Sequence, residues 1–321
     1  MSTPTPDGWL PTTVQALLDQ AGDDVARLEV ALLAAWRPTT LLAHADLPGC
    51  VLRWHHQMTK RANSLLVLGP PLPRSTALAT SWYARRAPAQ APLAMTRCPL
   101  PQGPDRGAVL IMTCDLAQFP AAGQATGAQR PDQPQETPSP APSPTRAPAL
   151  WETSPSTTSS PCSSPVSPAP WEAGPRGPGR QGPRLHLGSR LPRVLLERTA
   201  ARGMGTPDDV ARARALLLCA PGQVFATVSQ GGEVVGVARL AVTGVNDVAV
   251  LDGVWVAPRS RRRGTASHMI RHLAHQARHL GARHLALEVE ADNLGAIACY
   301  ERLGMGLHHA HRYTPLAPWG T

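Results

Sequence analysis

The sequence predicts an α/β protein built in two halves, and three observations carry that expectation. Strand-like and helix-like stretches alternate on both sides of the chain's midpoint, the pattern of an α/β layer. Length agrees, because 321 residues suit about two domains of roughly 150 each. Proline is concentrated locally: of 35 prolines, 17 fall between Pro120 and Pro192. The boundaries read from composition are 1–119 for an N-terminal domain, 120–185 for a linker or insert, and 186–321 for a C-terminal domain.

In the N-terminal part, Leu28–Trp36 has helical spacing and Trp36-Arg37-Pro38 ends it. Cys50–Trp54 and Ala62–Leu68 read as strands, the second stopped by Gly69-Pro70-Pro71. Thr76–Arg86 reads as a helix and Ala108–Thr113 as a buried strand, and no phosphate-loop signature occurs. In the middle part, Pro138-Ser139-Pro140-Ala141-Pro142-Ser143-Pro144 can neither pair in a sheet nor continue a helix, so disorder is expected there.

The C-terminal part is the most regular. Thr206-Pro207-Asp208-Asp209 starts a helix, with an N-cap threonine, proline at the first position and acids in the first turn, running to about Leu218. Gln223–Ser229 and Val234–Val242 alternate as strands around Gln230-Gly231-Gly232-Glu233. Val248–Val256 is a third strand. An arginine-rich loop, a helix from Thr265 to Leu280, a strand His284–Glu290, a short helix Gly295–Leu303 and a strand Gly306–Tyr313 follow.

Charge narrows the function classes. The net charge of +9 comes almost wholly from arginine, and residues 184–321 hold +7 of it. A basic part of this kind suits an anionic ligand, either nucleic acid or a phosphorylated cofactor. No apolar run approaches the roughly 18 residues a membrane helix needs, and the first residues lack the basic-then-apolar pattern of a secretory signal. Six scattered cysteines without a Cys-x-x-Cys pair read as free thiols, so a cytoplasmic setting is expected.

The loop from Pro258 to Ala266 lies between a strand and a helix. Free N–H groups at a helix start attract phosphate, glycine allows close backbone approach, and Arg259, Arg261, Arg262 and Arg263 add charge. A solvated basic loop or a nucleic-acid patch are the competing readings. The sequence Val254-Trp255-Val256-Ala257-Pro258, then Arg261 to Ala266, resembles the acetyl-CoA pyrophosphate loop of the GNAT superfamily of N-acetyltransferases. A second block resembles the same family: Glu288-Val289-Glu290-Ala291-Asp292-Asn293, then Ala296 through Met305. The resemblance covers residues 186–321 and implies a mixed central sheet flanked by helices. More weakly, Trp36-Arg37-Pro38, Val51-Leu52-Arg53, Arg61 to Leu65, Leu68-Gly69 and Val109 to Thr113 resemble the degenerate first half of tandem actinobacterial acetyltransferases.

Amine acetylation needs a base for the ammonium and an acid for the departing thiolate. Period two puts His284, Ala286, Glu288 and Glu290 on one face of their strand, so Glu288 is placed to face a cleft as base. The resemblance points to the same residue, a glutamate twelve positions before Tyr300; Glu290 and Asp252 compete for the role. It also implies Tyr300 as general acid, a phenol protonated at pH 7. Asn293, the backbone of Val254, Trp255 and Val256, and the loop Arg261, Arg262, Arg263, Gly264, Thr265 and Ala266 are implied to hold acetyl-CoA. The acceptor the resemblance implies is a primary amine, on a small molecule or a protein N-terminus. A CoA-binding pseudoenzyme is the first alternative, and a nucleic-acid-binding protein, which lacks an interleaved aromatic platform here, ranks last.

Two histidine groups weigh on metal binding. His268, His272, His275 and His279 share one helix face, opposite Met269, Ile270, Leu273, Ala277 and Leu280, which makes it the solvated side. With neither an acidic nor a cysteine partner visible, no native metal site is expected there or at His308, His309 and His311. Only one strand is clear after Tyr300, so the family's further strand is either missing or supplied by the N-terminal half.

Overall fold

The computed structural model describes residues 12, 16, 24–68, 73–87, 91–103, 105–121, 182–203 and 205–316. The expected proline-rich segment therefore lies, but for its ends, outside the described residues. The chain divides into two units, residues 1–122 with 178–321 and residues 123–177, and the description below concerns the first.

Helix α1 (Asp24–Trp36) is followed by strands β1 (Thr40–Leu42), β2 (Cys50–Trp54) and β3 (Leu65–Val67), helix α2 (Pro73–Ala84), and strands β4 (Leu93–Cys98) and β5 (Ala108–Asp115). The C-terminal half holds β6 (Arg184–Gly188), α3 (Arg193–Ala200), α4 (Pro207–Leu217), β7 (Gly222–Gln230), β8 (Glu233–Val242) and β9 (Val248–Val256). After a 3₁₀ turn come α5 (Thr265–His279), β10 (His284–Glu290), α6 (Leu294–Glu301) and β11 (Gly306–Pro315). Helix α4 starts as its sequence dictates: Thr206 accepts from the Asp209 N–H at 3.2 Å while Asp209 accepts from the Thr206 N–H at 3.1 Å.

All eleven strands form one mixed sheet, in the order β1-β2-β3-β4-β11-β5-β10-β9-β8-β7-β6. The two halves are thus spliced. Strand β5 of the N-terminal half is inserted between β10 and β11, antiparallel to both. Strand β11, in turn, continues past β5 to pair with β4. Among the described residues β11 is the one strand after Tyr300, and the strand between it and β10 comes from the N-terminal half.

Helices α1, α3 and α4 pack one core against one face of the sheet, with Phe225, Val237, Val250, Ala286 and Ile111 beneath them. Helices α5 and α6 cover a second core holding Leu240, Leu251, Leu285, Leu287 and Met112. The alternation of β10 explains the division, since neighbouring strand residues point to opposite faces. Helix α1 is buried along nearly its whole length and is tied to the C-terminal half: Arg239 donates to the Ala35 carbonyl at 3.0 Å and Asn246 to the Arg27 carbonyl at 2.8 Å.

Met269, Ile270, Leu273, Ala274 and Ala277 of α5 are buried, while His275 and His279 stay exposed and His268 and His272 half-exposed. Leu280 departs from its expected place. It is the C-cap of α5 and 49% exposed, because the helix ends before it can turn that residue into the core.

Candidate active site

Strands β9 and β10 are parallel neighbours only from Val248/His284 to Leu251/Leu287, although β9 continues to Val256 and β10 to Glu290. Beyond that point the ladder stops and a gap opens in the sheet. A bulge helps it open. Arg239 faces Asp252 and Val237 faces Trp255, so Gly253 and Val254 together oppose Ala238. Gly253 has φ +62°, and a Cβ there would come within 2.8 Å of Leu195 Cδ1. The left-handed φ favours glycine at this position, and any Cβ would also displace the Leu195 side chain.

A cleft of about 710 Å³ lies at the gap, lined by Asp252, Gly253, Val254 and Trp255 from β9 and Glu288, Val289 and Glu290 from β10. Helix α3 adds Leu195, Arg198 and Thr199, with the Arg198 guanidinium 4.8 Å from the Trp255 ring centre. The N-terminal half contributes Met58 to Arg61, so the wall is shared. Val254, Trp255, Glu288 and both of its rivals, Glu290 and Asp252, therefore meet in one cleft. Val256, the 261–266 loop, Asn293 and Tyr300 are not among its lining residues.

The three carboxylates have different surroundings. Asp252 is ion-paired to Arg239 at 2.6 Å, both essentially buried; burial pushes its carboxyl up and the arginine pulls it down. Glu290 is exposed. Glu288 is 19% exposed and ion-paired to Arg61. Burial lifts its carboxyl above the ordinary range, against the opposing pull of Arg61.

Arg61 bridges onward. Its second nitrogen donates to Glu29 Oε2 at 2.8 Å, and Glu29 Oε1 meets His311 Nε2 at 2.8 Å and His309 Nε2 at 3.2 Å. Register explains the clustering: Glu288 and His309 both pair with Ile111 on either side of β5, so their side chains share a face, and His311 follows two residues on. Burial would raise the Glu29 carboxyl, but Arg61 and the two imidazoles hold it well below its ordinary value. His309 and His311 were recognisable as i, i+2 strand neighbours. Glu29 and Arg61 carried no local signal, because they reach the cluster through the fold.

Tyr300 lies on the other face of the sheet, in the core with Leu285, Leu287 and Leu303. It is 7% exposed, and burial raises its phenol further above its ordinary value. The 261–266 loop lies close to it in the fold, since Ser267 at the start of α5 contacts Cys299 of α6 at 3.4 Å. Gly264 caps α5 in the left-handed region at φ +79° with open space around it, and no side chain caps this helix start. The first-turn N–H groups are therefore free of a side-chain acceptor. Arg261, Arg262 and Arg263 are exposed beside it, and Asn293 caps α6 by accepting from the Ala296 N–H at 3.3 Å.

The acetyltransferase (GNAT) family profile matches residues 193–305. A streptothricin acetyltransferase from Streptomyces lavendulae is 35% identical over 85 residues, which is 26% of this chain and 45% of that one. The chain thus spans about half the length of that curated relative. Among solved structures, a tandem GNAT protein from the clavulanic acid biosynthesis pathway shares the fold at TM-score 0.53 and 13% identity, covering 100% of this chain and 99% of its own. A GCN5-related N-acetyltransferase from Kribbella flavida aligns at TM-score 0.48 and 13% identity, over 89% of this chain and 93% of that chain. Among the described residues, no helix is long and apolar enough to cross a membrane.

Proposed function

We propose, taking residues 193–305 as an acetyltransferase domain of the GNAT family, that the protein transfers an acetyl group from acetyl-CoA to a primary amine by direct transfer in a ternary complex. One observation carries the reading: β9 and β10 part where Glu288 opens on one face of the sheet, while Tyr300 packs on the other.

The residues present fit the cofactor. An α5 start without a side-chain cap, a left-handed Gly264 with open space where a Cβ would stand, and exposed Arg261–Arg263 suit a pyrophosphate. Val254, Trp255, Val256, Thr265, Ala266 and Asn293 would complete the cofactor's contacts. Acetyl-CoA supplies the activated acyl group when bound. Glu288 takes the proton from the amine, directly or through one water, and Tyr300 Oη gives one to the departing sulfur. Both Glu288 and Asp252 are ion-paired to an arginine; Asp252 is the weaker candidate base because it is the more enclosed, 9% exposed against 19%, and Glu290 because it is open to solvent.

The acceptor is an amine; the cleft offers it the Asp252, Glu288, Glu290 and Asp292 carboxylates among the cations Lys60, Arg61, Arg106, Arg198 and Arg202, so shape and hydrogen bonding rather than net charge would select it. The relative's name makes streptothricin the first compound to test, alongside peptides with free N-termini. The N-terminal half would serve as a degenerate, wall-forming partner rather than a second catalyst. The test is thiol release from acetyl-CoA across an amine panel, with mass detection of the product. Acetyl-CoA binding without turnover of any amine would favour the pseudoenzyme, a reading the Arg61–Glu288 ion pair itself suggests. Absence of acetyl-CoA binding by calorimetry would dismiss both.

A further inference from the structure

Glu29, His309 and His311 present three ligand atoms to one another within 3.2 Å, all three residues buried. The edges of this triangle are 2.8 Å between the two Nε2 atoms, 2.8 Å from His311 Nε2 to Glu29 Oε1, and 3.2 Å from His309 Nε2 to Glu29 Oε1. Hydrogen bonding cannot satisfy such a triangle. A carboxylate brings no proton and each Nε2 brings at most one, so three edges share at most two protons. With both nitrogens protonated, two donors face each other; with one, a bare nitrogen lone pair faces the carboxylate.

We infer that these three residues bind a divalent transition-metal ion, zinc in the first instance. A cation would satisfy all three lone pairs at once. Tetrahedral ligands at about 2.0–2.1 Å from zinc stand roughly 3.3 Å apart, so the triangle would open by only a few tenths of an ångström. Two imidazoles and a carboxylate are an established kind of zinc donor set. The outer contacts also suit a ligand role: Arg61 grips the other Glu29 oxygen at 2.8 Å, and His308 Nδ1 meets His309 Nδ1 at 2.8 Å. His311 Nδ1, by contrast, has no hydrogen-bond partner among the described residues. The ion would tie α1 of the N-terminal half to β11 of the C-terminal half. None of the three ligands lines the cleft, and the metal inference does not require the acetyl-transfer reading, although Arg61 connects Glu29 to Glu288.

The surface pair His275 and His279, 2.8 Å apart, is the competing binder and supplies the control. The full chain, produced without a histidine tag, is loaded with zinc, desalted and analysed for metal by mass spectrometry; a parallel cobalt sample is examined for the visible absorption of a tetrahedral site. Close to one ion per chain and a tetrahedral cobalt spectrum are expected. H309A, H311A and E29Q should each retain less than about a tenth of that, while a H275A/H279A variant retains it in full. Chelation should also lower the wild-type melting temperature. Failure of the wild-type protein to hold metal after desalting would overturn the inference, and needs no variant to fold. So would metal that follows His275 and His279.

Discussion

Arg61, in the loop ahead of β3, forms an ion pair with Glu288 of β10, a residue 227 positions later in the chain. The candidate base of the C-terminal half is thereby held by the N-terminal half. Both partners are largely withdrawn from water, where an opposite charge acts strongly on a carboxyl.

The ion pair predicts a pH effect. As the proposed base, Glu288 must be ionised, so acetylation is expected to decline as pH falls through its pKa, which burial sets above the ordinary value. Arg61 pulls that value down. R61M should therefore move the acid limb of the kcat/KM profile to higher pH by about one unit. A limb that stays put would separate Arg61 from the base.

Removing the base outright gives a larger effect. E288Q should lower kcat by about 10²- to 10⁴-fold with little change in the KM for acetyl-CoA, as expected for a lost general base. E290Q should retain most activity. Steady-state kinetics on the best amine of the panel decides between them.

Tyr300 is nearly enclosed by the α5–α6 core, so Y300F keeps the packing and removes only the hydroxyl. A drop in kcat of about 10²-fold at an unchanged melting temperature is expected for an acid. Full activity would reduce Tyr300 to a core aromatic.

Arg239 is fully buried between the Asp252 carboxylate and the Ala35 carbonyl. Replacing it with alanine strands a buried carboxylate and should cost about 3–5 kcal/mol, read from urea unfolding. A loss near that of an exposed pair, such as Arg193–Glu197, would contradict the buried geometry.

Much of the C-terminal half was legible because its signals are local. Val248–Val256 and His284–Glu290 match their strands end to end, and the Thr206–Asp209 cap fixes the start of α4. Four elements escaped. Strand β1 has three residues, β4 carries Thr96 and Arg97 in its second half, and β6 has an exposed edge. Helix α3 is short and follows Pro192 without a side-chain cap. Of the site, Glu288 was readable from strand period, as were the N–H groups ahead of α5 from Gly264. The Arg61–Glu29–histidine cluster was not, because its members meet only through the insertion of β5.

That insertion has a consequence for how the chain is made. Strand β5 is made well ahead of both strands it joins, β10 and β11. The sheet cannot be completed until β11 has been made, so folding is governed by contacts between distant parts of the chain and should be slow. Expression of residues 182–321 alone would leave β10 and β11 with an empty strand position between them and two unprotected edges, a recipe for aggregation. A fragment that is to complete this sheet needs Ala108–Asp115 as much as it needs β10 and β11.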